Sequence, residues 1–265
     1  MFTNSFSNSH GSSLIAAAAI AVAAIAGLAG TASASIIYQD SFTGGTANLD
    51  GAAPTVDHGT STVWTAGGTN GSGDGAGAGV GWQDNGSTSF SGNSGSAYLL
   101  FTPSSGNIYT LTASFELTTS SSNWLSVGFV RTPNTTMPLY GSGAYAWGFV
   151  MPSGAGATYP GPDQTVAGTG FTGNAYNNLN TLSIVLNTQA SAWTYQMSAN
   201  GTAVTPVVAY TTNPAITAVG LGNSDATGHF SNFELSSAAV PEPASLGLVA
   251  AGSLGLLLIK RRRAV

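Results

Sequence analysis

Between positions 35 and 239 apolar side chains recur at every second residue. In Asn107 to Leu117, Tyr109, Leu111, Ala113, Phe115 and Leu117 alternate with Thr110, Thr112, Ser114 and Glu116, the period of a strand with one buried and one wet face. Thr181 to Asn187 repeats the device with Leu182, Ile184 and Leu186, and Trp193, Tyr195 and Met197 continue it after a short break. Further strands are expected at Ile36 to Phe42, Ala97 to Phe101, Trp124 to Arg131, Ala144 to Met151, Ala203 to Tyr210, Ile216 to Leu221 and Gly228 to Leu235. No stretch of this region requires a helix. About ten strands with Gly, Ser, Asn and Pro between them suit an antiparallel two-sheet sandwich. Asn200-Gly201 is the best turn signal, since a type I′ hairpin needs positive φ at both central residues. Gly67 to Gly81 reads as a long loop or a run of tight turns.

The two ends follow other patterns. Leu14 to Leu28 is uncharged and apolar, and Ala32-Ser33-Ala34 after it supplies the small-x-small cleavage pattern of a signal peptide. Cleavage is expected after Ala34, although Lys and Arg are missing from the leading segment. At the other end Pro241-Glu242-Pro243 precedes an apolar run from Ala244 to Ile259, then Lys260, Arg261, Arg262 and Arg263. Such a run is a candidate transmembrane helix of about 24 Å, and basic flanking residues stay on the cytoplasmic side. The expected organisation is a signal peptide at 1–34, a β-sandwich at 35–239 and a tail at 240–265.

Composition narrows the function. Charged residues are 6% of the chain, and there are no cysteines. Disulfides, thiolate nucleophiles and Cys-ligated zinc are thereby removed. Nine of the ten acidic residues lie before position 240, where Arg131 is the only basic residue. An acidic body repels phosphate backbones, so nucleic-acid binding is not expected.

The order of Pro-Glu-Pro, apolar run and terminal basic cluster resembles the PEP-CTERM sorting signal. The resemblance implies recognition by an exosortase-type membrane protease after export, removal of the tail near Pro241, Glu242 and Pro243, and delivery of the body to the cell surface or extracellular space, with only transient membrane anchoring. It also implies association with extracellular polysaccharide and biofilm. A plain C-terminal membrane anchor is the competing reading. Tyr38 to Gly44 (YQDSFTG), Leu182 to Val204 and Ile216 to Leu235 resemble concanavalin A-like and laminin-G-like jelly rolls, a likeness of strand pattern that speaks to fold.

Candidate chemistry in the body is sparse. Glycan hydrolases of such sandwiches carry clustered carboxylates on one strand, whereas Glu116 and Glu234 are the only glutamates here and neither has a carboxylate two positions away. His58 and His229 lack a nucleophile elbow to serve. The body is therefore expected to be non-catalytic and to need no cofactor. Calcium is the alternative, since hard cations take oxygens from Gly-rich loops, and Asp74 and Asp84 are the candidate ligands. Carbohydrate binding by ring stacking is the second reading of the body. Trp82, beside Gln83-Asp84-Asn85, and Trp124, out of phase with Leu125, Val127 and Phe129, are its candidate platforms.

Overall fold

The computed structural model describes residues 34–58, 62–68, 81–90, 94–119, 123–137, 139, 143–161 and 168–239. The segment expected to be a signal peptide, up to Ser33, the expected tail from Val240, Asp74 and most of the Gly67 to Gly81 stretch lie outside these residues.

Alternation produces the long strands, and short polar segments complete the sheets. In chain order the strands are β1 (Ala34–Asp40), β2 (Val56–Asp57), β3 (Thr65–Gly68), β4 (Gly81–Trp82), β5 (Ser87–Ser89), β6 (Ser94–Leu100), β7 (Asn107–Leu117), β8 (Trp124–Val130) and β9 (Ala144–Val150). They continue with β10 (Ala155–Tyr159), β11 (Thr169–Thr172), β12 (Leu179–Asn187), β13 (Thr194–Ala199), β14 (Thr202–Ala203), β15 (Val208–Ala209), β16 (Ala218–Ser224) and β17 (Thr227–Ala239). Among the described residues no helix is long and apolar enough to cross a membrane.

Two antiparallel sheets face each other. The first runs β14-β13-β12-β7-β17-β1-β2, with β15 added at β13 and the β4-β5 pair added at β17; the second runs β11-β10-β9-β8-β16-β6-β3. Between them lie Leu111, Ala113 and Phe115 of β7, Ile184 of β12 and Phe233 and Leu235 of β17, against Leu125, Val127 and Phe129 of β8 and Val219 and Leu221 of β16. The all-β, two-sheet sandwich is thus the observed architecture. The Tyr38 hydroxyl crosses between the sheets and donates to the Leu100 carbonyl at 2.7 Å.

Bulges decide which residues face inward. The β7–β17 register shifts between Phe230 and Asn232, leaving Ser231 without a partner on β7. The extra residue lets Phe230 and Phe233, an odd number apart, both enter the core. A second shift lies between Gly128 and Phe129 on β8, opposite Ala146, whose φ is +44°. Beyond it Trp147 and Phe149 point away from the main core and form a second apolar cluster with Trp124, Tyr98 and Leu139.

Two expectations need correction. The strand expected over Ala203 to Tyr210 is split into β14 and β15, because Pro206 has no amide hydrogen for the ladder and the Thr205 hydroxyl takes the Met197 amide at 2.9 Å. Six further segments, β2, β3, β4, β5, β10 and β11, are too short or too poor in alternating large side chains to announce themselves as strands. The Asn200-Gly201 turn has φ of +50° and +80°, as a type I′ turn requires.

Gly86 and Gly201 provide a stability test of this backbone. Both have φ of +80°, but a Cβ on Gly86 would stand 1.9 Å from the Phe230 carbonyl oxygen, whereas one on Gly201 would meet nothing within 4 Å. Gly201→Ala is expected to cost about 1 kcal/mol. Gly86→Ala adds overpacking against backbone and should cost about 3 kcal/mol or more. Urea unfolding midpoints of the two variants measure the difference.

Candidate functional site

Two acids of the body sit beside the first sheet, Asp40 and Asp84. β1 finishes at Asp40, the register partner of Phe233 on β17 and the next inward position after Tyr38. Asp40 is 2% exposed. Its Oδ1 accepts the Phe42 amide at 2.8 Å and the Thr55 hydroxyl at 3.2 Å, and its Oδ2 accepts the Trp64 indole N–H at 2.7 Å. Burial of a carboxylate is tolerable only with such partners, each charge-assisted and stronger than a neutral hydrogen bond. Asp40 therefore ties together the end of β1, the turn at Phe42 and the segment preceding β3. Its mark in the sequence is a carboxylate two positions from Tyr38, in phase with the core face of the strand.

Asp84 lies in the turn between β4 and β5. Its amide donates to the Ala47 carbonyl at 2.8 Å, and its carbonyl accepts the Gly44 amide at 3.3 Å. Partial burial, and then the negative charge of Asp40, push the Asp84 carboxyl above the usual carboxylate range. Such a pair is a reason for attraction to a cation, yet no group of three His, Cys, Asp or Glu side chains that could hold a metal occurs among the described residues. Asp74 is outside them.

A cleft of about 340 Å³ opens nearby, lined by Gln83, Ser87, Ser89, Thr118, Thr227 and His229 among others. Its wall is made where β5 pairs with the start of β17, matching Ser89 to Thr227 and Ser87 to His229. The Ser89 and Thr227 hydroxyls lie 3.0 Å apart. On its other side His229 is the register partner of Glu116, so the fold brings together two residues 113 positions apart that sequence reading treated singly. Glu234, by contrast, pairs with Thr112 on β7 and Gln39 on β1, five residues further along the strand. His58 follows β2 and is exposed.

The candidate sugar platforms are corrected. Trp82 is 1% exposed, with Phe90 at 5.8 Å and Phe230 at 6.0 Å between ring centres, and its indole N–H donates to the Gly67 carbonyl at 3.2 Å. The polar residues after it in sequence form the turn, while the ring itself enters the core. Trp124 is 7% exposed and stacks on Phe149 at 5.1 Å, with Trp147 at 5.9 Å. It does face away from the first sheet, as its phase requires, but the second apolar cluster covers it. Neither ring offers a free face of the kind that stacking on a sugar needs. Burial also pushes the Tyr195 phenol up to about 12 and Tyr210 well above its ordinary value, so both are uncharged packing groups.

At the far end of the first sheet, β17 finishes at Ala239, paired with Asn107 of β7. Ala238 beside it pairs with Ala34 at the start of β1. Comparison with protein families finds that residues 239–263 match the PEP-CTERM protein-sorting motif. The chain carries a PEP-CTERM sorting motif. The motif is the recognition signal of exosortase, and the match begins on the last residue of β17. Its Pro241, Glu242, Pro243, Lys260, Arg261, Arg262 and Arg263, like Ala32 of the expected cleavage pattern, lie outside the described residues; Ala34 opens β1.

No curated protein matches the chain. Among solved structures it is similar to an endo-1,3-beta-glucanase from Streptomyces sioyaensis, with 12% identity over 78% of this chain and 98% of that one and a TM-score of 0.46. Winged bean acidic lectin complexed with methyl-alpha-D-galactose shows 9% identity, 60% and 89% coverage and a TM-score of 0.40. A carbohydrate binding module from Bacillus subtilis shows 14% identity, 54% and 85% coverage and a TM-score of 0.36. Likeness at this level says nothing of what the chain binds.

Two substitutions separate the roles of the carboxylates. Asp40→Ala strands the Trp64 and Phe42 donors in the interior and is expected to cost about 3 kcal/mol or more, read as a lower urea midpoint. Asp84→Asn acts in the opposite sense. A carboxyl whose pKa is raised by folding favours the native state below its unfolded value of 3.8, and that contribution is lost as pH rises through the folded value. Asp84→Asn should therefore melt above the parent at pH 7, with the gain shrinking toward pH 3 in thermal scans.

Proposed function

We propose that the chain is the precursor of an exported, exosortase-sorted bacterial surface or matrix protein whose body is a non-catalytic β-sandwich of the concanavalin A-like type. The observation that carries the reading is the PEP-CTERM match that starts where β17 stops. In this reading residues 1–34 are a signal peptide cut after Ala34. Ala244 to Ile259 anchors the chain in the inner membrane for a time, with Lys260 and Arg261 to Arg263 on the cytoplasmic side, and a membrane protease removes the tail near Pro241-Glu242-Pro243. The mature body then contributes its shape to the envelope or to extracellular polysaccharide.

A lack of catalysis is supported by the dispersal of the acids. Glu116 and Glu234 project from different stretches of the first sheet, and Asp40 is occupied by three donors. A second reading, contact with a polysaccharide, is favoured by the hydroxyl-lined cleft beside His229, which has the polar lining that a neutral, hydroxyl-rich ligand requires. It does not involve Trp82 or Trp124, and no metal is invoked.

Intact-mass spectrometry of the protein recovered from the surface and medium of its native host tests the first reading. Termini at Ser35 and close to Pro241 are expected; extracellular protein that retains Arg263 would refute sorting. Binding to extracted exopolysaccharide should be lost in Thr227→Trp, which fills the cleft, and should be indifferent to chelator. Binding that persists in Thr227→Trp removes the cleft from the account.

A further inference from the structure

The expected leader cleavage bond and the strand that precedes the sorting tail lie in one ladder. Ala34 pairs with Ala238 and Ser35 with Ser237, and the Ser35 and Ser237 hydroxyls stand 3.2 Å apart. On its other edge the same end of β17 pairs through Ser236, Ser237, Ala238 and Ala239 with Thr110, Tyr109, Ile108 and Asn107 of β7. The last residues of β17 are therefore held from both sides, and the bond between Ala34 and Ser35 lies inside a formed strand pair.

We infer that the β1–β17 ladder sets the order and position of the two processing cuts: the leader is removed only before β17 docks, and the tail only beyond Ala239, with β17 left whole. This rests on the export and sorting reading above. A protease holds its substrate as an extended segment whose backbone groups pair with the enzyme, much as a strand is added to a sheet, and backbone already committed to two neighbouring strands is not free to do so. Each cut breaks one peptide bond: the new C-terminal acyl group passes to water at the leader, and to water or to the amine or hydroxyl of an acceptor at the tail, while the new N-terminal amine takes up the proton. β17 is the last strand of the body, so it is the last to leave the ribosome and the last to cross the membrane. Until it arrives, the start of β1 has no ladder partner on that side, and the Ala34-Ser35 bond is open. Once it docks, the bond is closed, and leader removal must be finished. At the tail, one residue, Val240, separates the ladder from Pro241, so a cut upstream of Val240 would require Ala239 to leave β7, and one further upstream would require β17 to peel from both neighbours.

The test uses the full-length chain, purified with both ends in detergent and exposed to bacterial signal peptidase, with intact mass as the readout. The folded chain should be cut between Ala34 and Ser35 at least about tenfold more slowly than the same chain kept unfolded in urea at a concentration the enzyme tolerates. Ala238→Pro, which puts a residue without an amide hydrogen into β17 at the position paired with Ala34 and so loosens the end of that strand, should restore most of the rate without urea. Equal rates for the folded and unfolded parent would overturn the leader half, as would a folded Ala238→Pro variant that stays fully protected. For the tail, protein matured in the host should end at Val240 or later, and four Gly/Ser residues inserted after Val240 should speed tail removal. A mature C-terminus within Ser236–Ala239, or an insertion without effect on rate, overturns the tail half. Mature protein that keeps its entire tail would refute sorting and the tail half together, while the signal peptidase result still decides the leader half.

Discussion

Backbone pairing along both edges of β17 is the constraint on which the other features depend. On one edge it follows β7 from Gly228 to Ala239, and on the other it meets first β5 and then β1. The Ser231 bulge falls between the β5 and β1 contacts, so the kink it introduces coincides with the change of neighbour. A strand fixed in this way cannot slip, since a shift of one residue would expel Phe233 and Leu235 from the core and bring Asn232 and Glu234 in. Its two ends are thereby assigned different tasks, a cleft wall at Thr227 and His229 and the exit of the sorting tail at Ala239.

A chain with so few charges must hold its surface together by other means, and hydroxyl pairs between strands take that place. Ser114 and Thr181 stand 2.9 Å apart across β7 and β12, and Thr112 donates to Ser183 at 3.2 Å. Neutral pairs of this kind are insensitive to ionic strength, unlike surface ion pairs. Inside, Asn223 serves where a charged group would be costly. It donates to the Thr88 hydroxyl at 2.9 Å and the Ala226 carbonyl at 3.0 Å and accepts the Ala226 amide at 2.8 Å, closing the passage from the second sheet into the first. Asp40 is the charged exception, and its three donors are what allow it to be buried.

Much of this was legible in the sequence where strict alternation ran for a whole strand. β7 occupies Asn107–Leu117 as its pattern predicts, and the Asn200-Gly201 turn forces its own backbone. What alternation could not reveal were departures from period two. The bulge at Ser231 puts two phenylalanines three apart on one face, and the kink at Ala146 turns Trp147 outward into a second apolar layer. Trp82 misled for a related reason. Its neighbours in sequence are polar and turn-forming, but a strand of two residues is enough to carry the ring between Phe90 and Phe230. The cleft was invisible because its walls come from segments far apart in the chain, joined only by the β5–β17 and β7–β17 registers.

The separation of the cleft from the end of β17 follows from strand length alone. β17 spans thirteen residues, about 40 Å at the rise of an extended strand, with Thr227 at the cleft and Ala239 at the tail. β7 lies antiparallel to it, so Leu117 and Thr118 are at the cleft end and Asn107 at the Ala239 end, and β1 begins beside Ala238. Both chain ends of the body therefore leave from one edge of the sandwich, and the hydroxyl-lined opening sits at the other.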